Sequence, residues 1–572
     1  MTCLLAFYLI IWTCCQTIAA HAIHTNGNAP RPRGIHLPIV RNGLRTFRKR
    51  ANGSTAIGLG DVLDVTYNVL VQIGSIQTPL VLDTGSSDLW VLSDQCNGTC
   101  TEGVPLYPHS SMTQTGLTVQ LLYGDSHTGT HAFGPIVKDT VGIAGLSVKD
   151  LFLAAIVDTN TTTYETGSAG ILGLGFPAIS VLWRQLLQAQ LSNQPPSFGG
   201  SSAFLRSTNV NYNQPSFPDF TFLSSSQSTT DPLLRRQSSP LLSSAEVIAS
   251  FNTFGPLPAR FISENLLTSP LIAVTLQRDT VDIGGNVGLL SIGELPAGIR
   301  SDALTWLPVR AYTAADGGLP PSPEAPNEVF PLVWEVPLDD VYFDGIKLAR
   351  SSLSPPSISL SALIDTGNSL IRGPQDVIYQ IQRILGNSLF ECSRPHNLTF
   401  QIGGKPFPVD PRDFIHQAFS DSVDLCTPAL AITDPPGSGF LYSWSLGDPF
   451  LKSALVAFYY GNLTHPSRDP PRIGLLSTLP QGADERLKEI VSQAQEGNND
   501  FIATSEPAPS GTFIATTTGV GGVPQATRPL SNPNSSNPNS SGALPVHPMW
   551  GWSTVLPGTI TLVFFFWTVM VS

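Results

Sequence analysis

The sequence predicts a mostly β, bilobal fold, and three observations carry that prediction. Short apolar runs with period-two alternation recur along most of the chain, helix-like stretches are few, and one two-part unit occurs once in each half. From 64 to 91 the alternation is clearest: Tyr67, Val69, Val71 and Ile73 share one face, Gly74-Ser75 makes a turn, and Val81-Leu82 and Leu89-Trp90-Val91 follow. Similar runs recur at 117–122, 136–148, 151–157, 333–348 and 358–364. Helical spacing is confined to 179–191, 259–267 and 375–385.

The repeated unit begins with two apolar residues and Asp-Thr-Gly, as Val81-Leu82-Asp83-Thr84-Gly85 and Leu363-Ile364-Asp365-Thr366-Gly367. It ends on an apolar strand closed by glycine. Ile171-Leu172-Gly173 lies 90 residues after Asp83, and Ser445-Leu446-Gly447 ends 82 residues after Asp365. This places an N-terminal lobe at 51–275 and a C-terminal lobe at 276–480. Residues 192–253 are rich in Ser, Pro, Asn and Gln without periodicity and read as a surface insertion, partly disordered, with a dibasic Arg235-Arg236 inside it. A shorter Pro-rich loop covers 319–327.

The two ends have their own character. Residues 3–18 are apolar and are followed by Ala20-His21-Ala22, a small-x-small site, so 1–22 is expected to be a secretory signal. Residues 23–50 hold seven Lys and Arg, no Asp or Glu, and end Arg48-Lys49-Arg50. They read as a propeptide cleaved before Ala51. Its removal leaves 23 basic against 42 acidic residues, which argues against a nucleic-acid partner. Residues 481–541 read as a Ser/Thr/Pro-rich stalk. Residues 542–572 read as a removed glycosylphosphatidylinositol (GPI) signal: small residues around Ser541, an 11-residue spacer, then the apolar 555–571 with no basic flank. Ser541 is the expected attachment site. The chain is thus expected at the extracellular cell surface.

Cysteine usage agrees with a secreted chain. Outside the signal stand Cys96, Cys100, Cys392 and Cys426, and of three pairings local closure favours Cys96–Cys100 and Cys392–Cys426. These four contain no C-x-x-C, and the ten His show no ligand spacing, so no metal is expected. Seven N-x-Ser/Thr sequons fit the same compartment.

Two Asp on matching turns suit one chemistry in particular. Peptide hydrolysis by carboxylates needs an ionised Asp to take a proton from water and a protonated Asp to supply the carbonyl oxygen. Two adjacent carboxylates cannot both ionise, so a pair retains one proton at acid pH. Gly85 and Gly367 admit the tight turn, and Thr84 and Thr366 are placed to bond across to the opposite loop. Gly173–Ala178 matches a dinucleotide pattern, but Pro177 interrupts it and no βαβ pattern surrounds it. Gly124-Asp125-Ser126-His127 lacks the partners of a serine-peptidase motif.

Asp83-Thr84-Gly85-Ser86-Ser87-Asp88-Leu89-Trp90-Val91 closely resembles the first active-site motif of pepsin-like aspartic peptidases. Tyr123-Gly124-Asp125, Asp139-Thr140-Val141, 170–175 and 446–451 resemble later motifs in the same order, over some 400 residues from Tyr67 to Leu476. The resemblance implies an acid-protease fold with a cleft between the lobes, no cofactor and no metal. It further implies catalysis by Asp83 and Asp365 with support from Thr84, Gly85, Ser86, Thr366, Gly367 and Asn368. It makes Tyr123, Gly124 and Asp125 the tip of a flap that closes over substrate, with Tyr123 bonded to Trp90. Both disulfide pairings match the family's positions.

Three departures stand out. Asn368 occupies a place where the family usually has Thr or Ser, whose hydroxyl donates to the catalytic carboxylate, and its amide is expected to donate instead. Ser126 stands where Gly is usual, and the pro-segment is short. Fungal surface peptidases of the yapsin kind share the anchored layout. The expected activity is acid-pH endopeptidase action on peptides or proteins by a monomer attached to the membrane through GPI. The alternative is a silent pepsin-like binding or inhibitory module, a class that usually loses one of the two Asp.

Overall fold

The computed structural model describes residues 66–96, 100, 104–124, 129–191, 244–276, 288–386, 388–437 and 439–501, with shorter pieces at 55–58, 60–62, 217–220, 223, 505–506, 517–518 and 524–525. The chain separates into two units, Met1–Leu530 and Ser531–Ser572, and the second lies wholly outside the described residues. So do the signal, the propeptide, Arg235-Arg236 and the attachment site at Ser541. Among the described residues, no helix is long and apolar enough to cross a membrane.

The fold is mostly β, as the alternating runs predict. In the first lobe Thr66–Ile73 pairs with Ile76–Asp83 as a hairpin, turned by Gly74 at φ +54°. Tyr67, Val69, Val71 and Ile73 are all fully buried, because the period-two pattern turns that face onto the core. Long strands at Thr130–Ile143 and Leu146–Ile156 extend the same sheet, and Thr113–Tyr123 folds onto the first of them as a hairpin that ends in the flap. The second lobe has a five-stranded sheet in the order Glu335–Pro337, Ser361–Ile364, Trp444–Leu446, Ile371–Pro374 and Leu430–Thr433.

A six-stranded sheet joins the halves. It runs Thr55–Gly58, Gly288–Ile292, Leu271–Leu276, Ala454–Tyr459, Arg472–Ser477 and Thr305–Pro308. The divide drawn at 275–276 therefore falls at the end of a strand in a shared sheet, not in a linker.

The internal repeat has a common geometry. Gly170–Gly173 lies parallel to Ile76–Asp83, with Gly173 opposite Asp83. Trp444–Leu446 lies parallel to Ser361–Ile364, with Leu446 opposite Ile364. Each strand closed by glycine is thus the neighbour of the strand that leads into Asp-Thr-Gly. Both closing glycines are sterically required. A Cβ on Gly173 would lie 2.4 Å from the Ser87 carbonyl carbon, and one on Gly447 would lie 1.8 Å from the Asn368 carbonyl oxygen.

Both disulfides form, Cys96–Cys100 and Cys392–Cys426. Of the expected helices, 375–385 is found as Gln375–Leu385, 179–191 begins at Val181, and 259–267 is displaced to Leu257–Ser263.

Two segments depart from the sequence expectation. The stalk does not begin at 481: Ala483–Glu496 is a helix whose Ala483, Leu487, Val491 and Ala494 are buried, and it packs on the strand Ser422–Pro428. Its apolar positions recur at helical spacing, but its other faces carry enough charge to hide the stripe. The insertion is also not wholly superficial. Ser244–Ala249 and Phe251–Phe254 are helical, Phe220 and Phe251 pack against Trp183, and the Trp183 indole N–H donates to Ser250 Oγ at 2.7 Å.

Candidate active site

The two Asp-Thr-Gly turns meet face to face between the lobes. The backbone N–H of Thr84 donates to Thr366 Oγ1 at 3.0 Å, and that of Thr366 donates to Thr84 Oγ1 at 3.0 Å. Each hydroxyl then donates onward, Thr84 to the Ile364 carbonyl at 2.9 Å and Thr366 to the Leu82 carbonyl at 2.7 Å. These four bonds form a closed two-fold arrangement. The turns are so close that a Cβ on Gly85 would lie 2.5 Å from Asp365 Oδ1, and one on Gly367 would lie 2.5 Å from Asp83 Oδ1. Only glycine leaves room for the carboxylates.

The carboxylates are not equivalent. Asp83 Oδ1 accepts from the N–H of Gly85 at 2.8 Å and of Ser86 at 3.2 Å, and Oδ2 accepts from Ser86 Oγ at 2.5 Å. Asp365 Oδ1 accepts from the N–H of Gly367 at 2.9 Å. Burial raises Asp83 above the ordinary carboxylate range, while the bonds from Ser86 and Gly85 oppose the rise. Asp365 is pushed up to about 8, first by burial and then by the negative charge of Asp83, with the Gly367 N–H and the Arg372 charge acting against it. The interaction between the two carboxyls acts in opposite senses on them, raising Asp365 further and favouring the ionised form of Asp83. Two carboxylates this close share one proton, and the direction of these effects favours Asp365 as its holder.

Asn368 does not take the part expected of it. Its Nδ2 donates to Ser445 Oγ at 2.9 Å and to the Ser445 carbonyl at 3.4 Å, and not to the Asp365 carboxylate. The Ser445 strand lies beside the loop and captures the amide.

Above the pair stands the hairpin of Thr113–Tyr123 and Thr130–Ile143, with Tyr123 opposite Thr130 at its last described rung. Asp125 and Ser126 lie outside the described residues. Burial, then the charges of Asp88 and Asp83, hold the Tyr123 hydroxyl well above its usual value, so it stays neutral and able to donate. Trp90 and Tyr123 stand together as expected: the Trp90 indole N–H acts on the Tyr123 hydroxyl and opposes the rise caused by burial, and the two rings are in contact. The centroids are 6.4 Å apart at 48°.

Several residues that position the site are not evident from the motif alone. Asp88 is buried and accepts from Ser180 Oγ at 2.5 Å and from the N–H of Val181 and Leu182 at 2.8 and 3.2 Å. It thereby caps the helix Val181–Leu191 and ties it to the catalytic loop. The Leu174 carbonyl accepts from the Trp334 indole at 3.0 Å and the Tyr460 hydroxyl at 2.6 Å, a second link between the halves. The signal for both lies in partners more than ninety residues away. Gly173–Ala178 runs under the catalytic loop, with the Gly175 N–H donating to the Ser86 carbonyl, and serves the floor of this site. Among the described residues, no group of three or more His, Cys, Asp or Glu is placed to hold a metal.

Comparison with known proteins gives a consistent picture. A family model described as eukaryotic aspartyl protease matches residues 66–195 and 199–465. The chain is 24% identical to cathepsin E of Cavia porcellus over 439 residues, covering 73% of this chain and 82% of that protein. It is 26% identical to cathepsin E-A of Xenopus laevis over 437 residues, covering 73% and 81%. It is 25% identical to pepsin A of Sus scrofa over 463 residues, covering 76% and 92%. A match that takes in both lobes and both Asp-Thr-Gly turns means that this chain belongs to the eukaryotic aspartyl protease family.

Proposed function

We propose that the protein is an aspartic endopeptidase that hydrolyses peptide bonds with Asp83 and Asp365 as its catalytic pair. The observation that supports this most strongly is the geometry of the pair: two Asp-Thr-Gly turns locked by crossed threonine bonds, each glycine against the opposite carboxylate, and the two carboxylates differing in their donors. Ionised Asp83 takes a proton from a water between the two groups, and the hydroxide oxygen bonds to the carbonyl carbon of the scissile peptide. Protonated Asp365 gives its proton to the carbonyl oxygen, forming a gem-diol. On collapse the diol returns a proton to Asp365, the C–N bond breaks, and Asp83 passes its proton to the leaving nitrogen. The pair ends as it began.

Tyr123, neutral and poised over the pair, would close the flap on an extended peptide. A silent module of the same family is disfavoured because both Asp are retained in bonding reach. Asp83→Asn and Asp365→Asn should each abolish acid-pH cleavage of a denatured protein, and a statine-type analogue should inhibit the wild type. Wild-type turnover in either variant overturns the assignment.

The sequence also supports maturation at Ala51 and delivery to the cell surface on a GPI anchor at Ser541, in the layout of yapsin-like peptidases. N-terminal sequencing and release by a phosphatidylinositol-specific phospholipase test these two points. A start at Ile23, or recovery of peptides from 555–571 in mature protein, refutes the corresponding one.

A further inference from the structure

Ser86 and Asn368 hold the same place in the two copies of the repeat, one residue after Asp-Thr-Gly, yet only one of them serves its carboxylate. Ser86 gives Asp83 both its N–H and its hydroxyl. The Asn368 N–H instead meets the Asp365 backbone carbonyl at 3.3 Å, and its carboxamide is saturated elsewhere. Both Nδ2 protons go to Ser445, and Oδ1 accepts from the Leu370 N–H at 3.2 Å and from Arg372 Nε at 3.3 Å. That exhausts what a carboxamide can offer. Asn368 is 8% exposed, so rotating it toward Asp365 would abandon four bonds in a nearly dry setting.

We propose that Asn368, held aside by Ser445 and Arg372, is a positioning residue that keeps the shared proton on Asp365 and sets the pH at which the pair releases it. A hydrogen bond to a carboxylate favours its charged form, so withholding one favours the protonated form. The charged and titratable groups around this corner are few. Asp83 faces it from the first lobe and favours retention of the proton. Arg372 faces it from its own lobe and acts in the opposite sense. The neutral Tyr123 hydroxyl lies above, and Asp448 lies beneath, its N–H donating to the Asn368 carbonyl at 2.8 Å. The consequence is a protease whose activity extends further toward neutral pH than a donor at 368 would allow.

The inference rests on the two-carboxylate mechanism above, so its test has a second readout. Asn368→Ser and Asn368→Thr each introduce a hydroxyl that can donate as Ser86 does. The upper limb of kcat against pH should move down by about one unit in at least one of them. In the mature protein with ¹³C-carboxyl aspartate, assigned by Asp365→Asn, the Asp365 titration should move down by a similar amount. Should neither variant fold, Ser86→Ala makes the mirror test, and the Asp83 transition should rise by about one unit. Folded variants whose limbs and titrations stay within about 0.2 units of wild type overturn the role of Asn368. A mature wild type that cleaves nothing and binds no statine analogue refutes the endopeptidase reading, while the Asp365 titration still decides this one.

Discussion

Replacing Asp365 by Asn should make the protein more stable than wild type at pH 8 and leave it little changed at pH 4. In the folded protein Asp365 is pushed from the ordinary 3.8 up to about 8 by burial and by Asp83. An acid raised in this way keeps its proton when folded, whereas the unfolded chain gives it up. Stability is therefore complete below the unfolded value and falls as pH rises toward the folded one, by about 1.4 kcal/mol per unit. Over the whole window, from 3.8 to about 8, the loss approaches about 6 kcal/mol. Asparagine has the shape of the protonated acid and never charges, so it escapes that loss. Part of the gain is offset because the amide donates to Asp83 less well than a carboxyl proton does, so a net gain of about 2–4 kcal/mol is expected at pH 8. Scanning fluorimetry at pH 4, 6 and 8, fast enough to outrun self-digestion, should show a gap in Tm that opens with pH. A gap that does not change with pH, or a variant less stable than wild type at pH 8, would refute the reasoning.

Three further substitutions test the frame around the pair. Thr84→Val and Thr366→Val each leave a buried N–H and a carbonyl unserved and should cost about 1–3 kcal/mol in urea unfolding, with the double variant costing less than the sum. Gly447→Ala drives a methyl group into the Asn368 carbonyl and should cost about 3 kcal/mol or more, read as loss of soluble folded protein. Leu487→Ala should lower stability by about 2–5 kcal/mol if Ala483–Glu496 belongs to the body, and a stalk residue would show no change in the same unfolding assay.

The carboxylates could be read from sequence because the repeat marks them twice, and a repeat is a property of the text itself. The strands of the first lobe were legible for a similar reason, since Tyr67, Val69, Val71 and Ile73 repeat at the strand period on the buried face. What escaped depends on distant partners. The orientation of Asn368 is decided by Ser445, 77 residues on, and that of Asp88 by a helix 92 to 94 residues on. Phe217 and Phe220 belong to a short Phe-rich patch with no strand or helix period, and what packs them is distant: Trp183 for Phe220, and Tyr312 and Phe440 for the half-buried Phe217. The helix at 483–496 was hidden by its own charged faces.

The placement of the two disulfides has a practical consequence for anyone who purifies this protein. Cys96–Cys100 closes within the first lobe and Cys392–Cys426 within the second, so no covalent bridge spans the insertion. A backbone break at Arg235-Arg236 would leave the threonine bonds, the six-stranded sheet and the packing of Trp183 on Phe251 in place. Such a molecule would elute as one species from a sizing column and cleave substrate normally. In detergent it would fall into two fragments without any reducing agent. Electrophoresis with and without thiol would then give the same two bands, so the nick is read from the fragments themselves and not from any change on reduction.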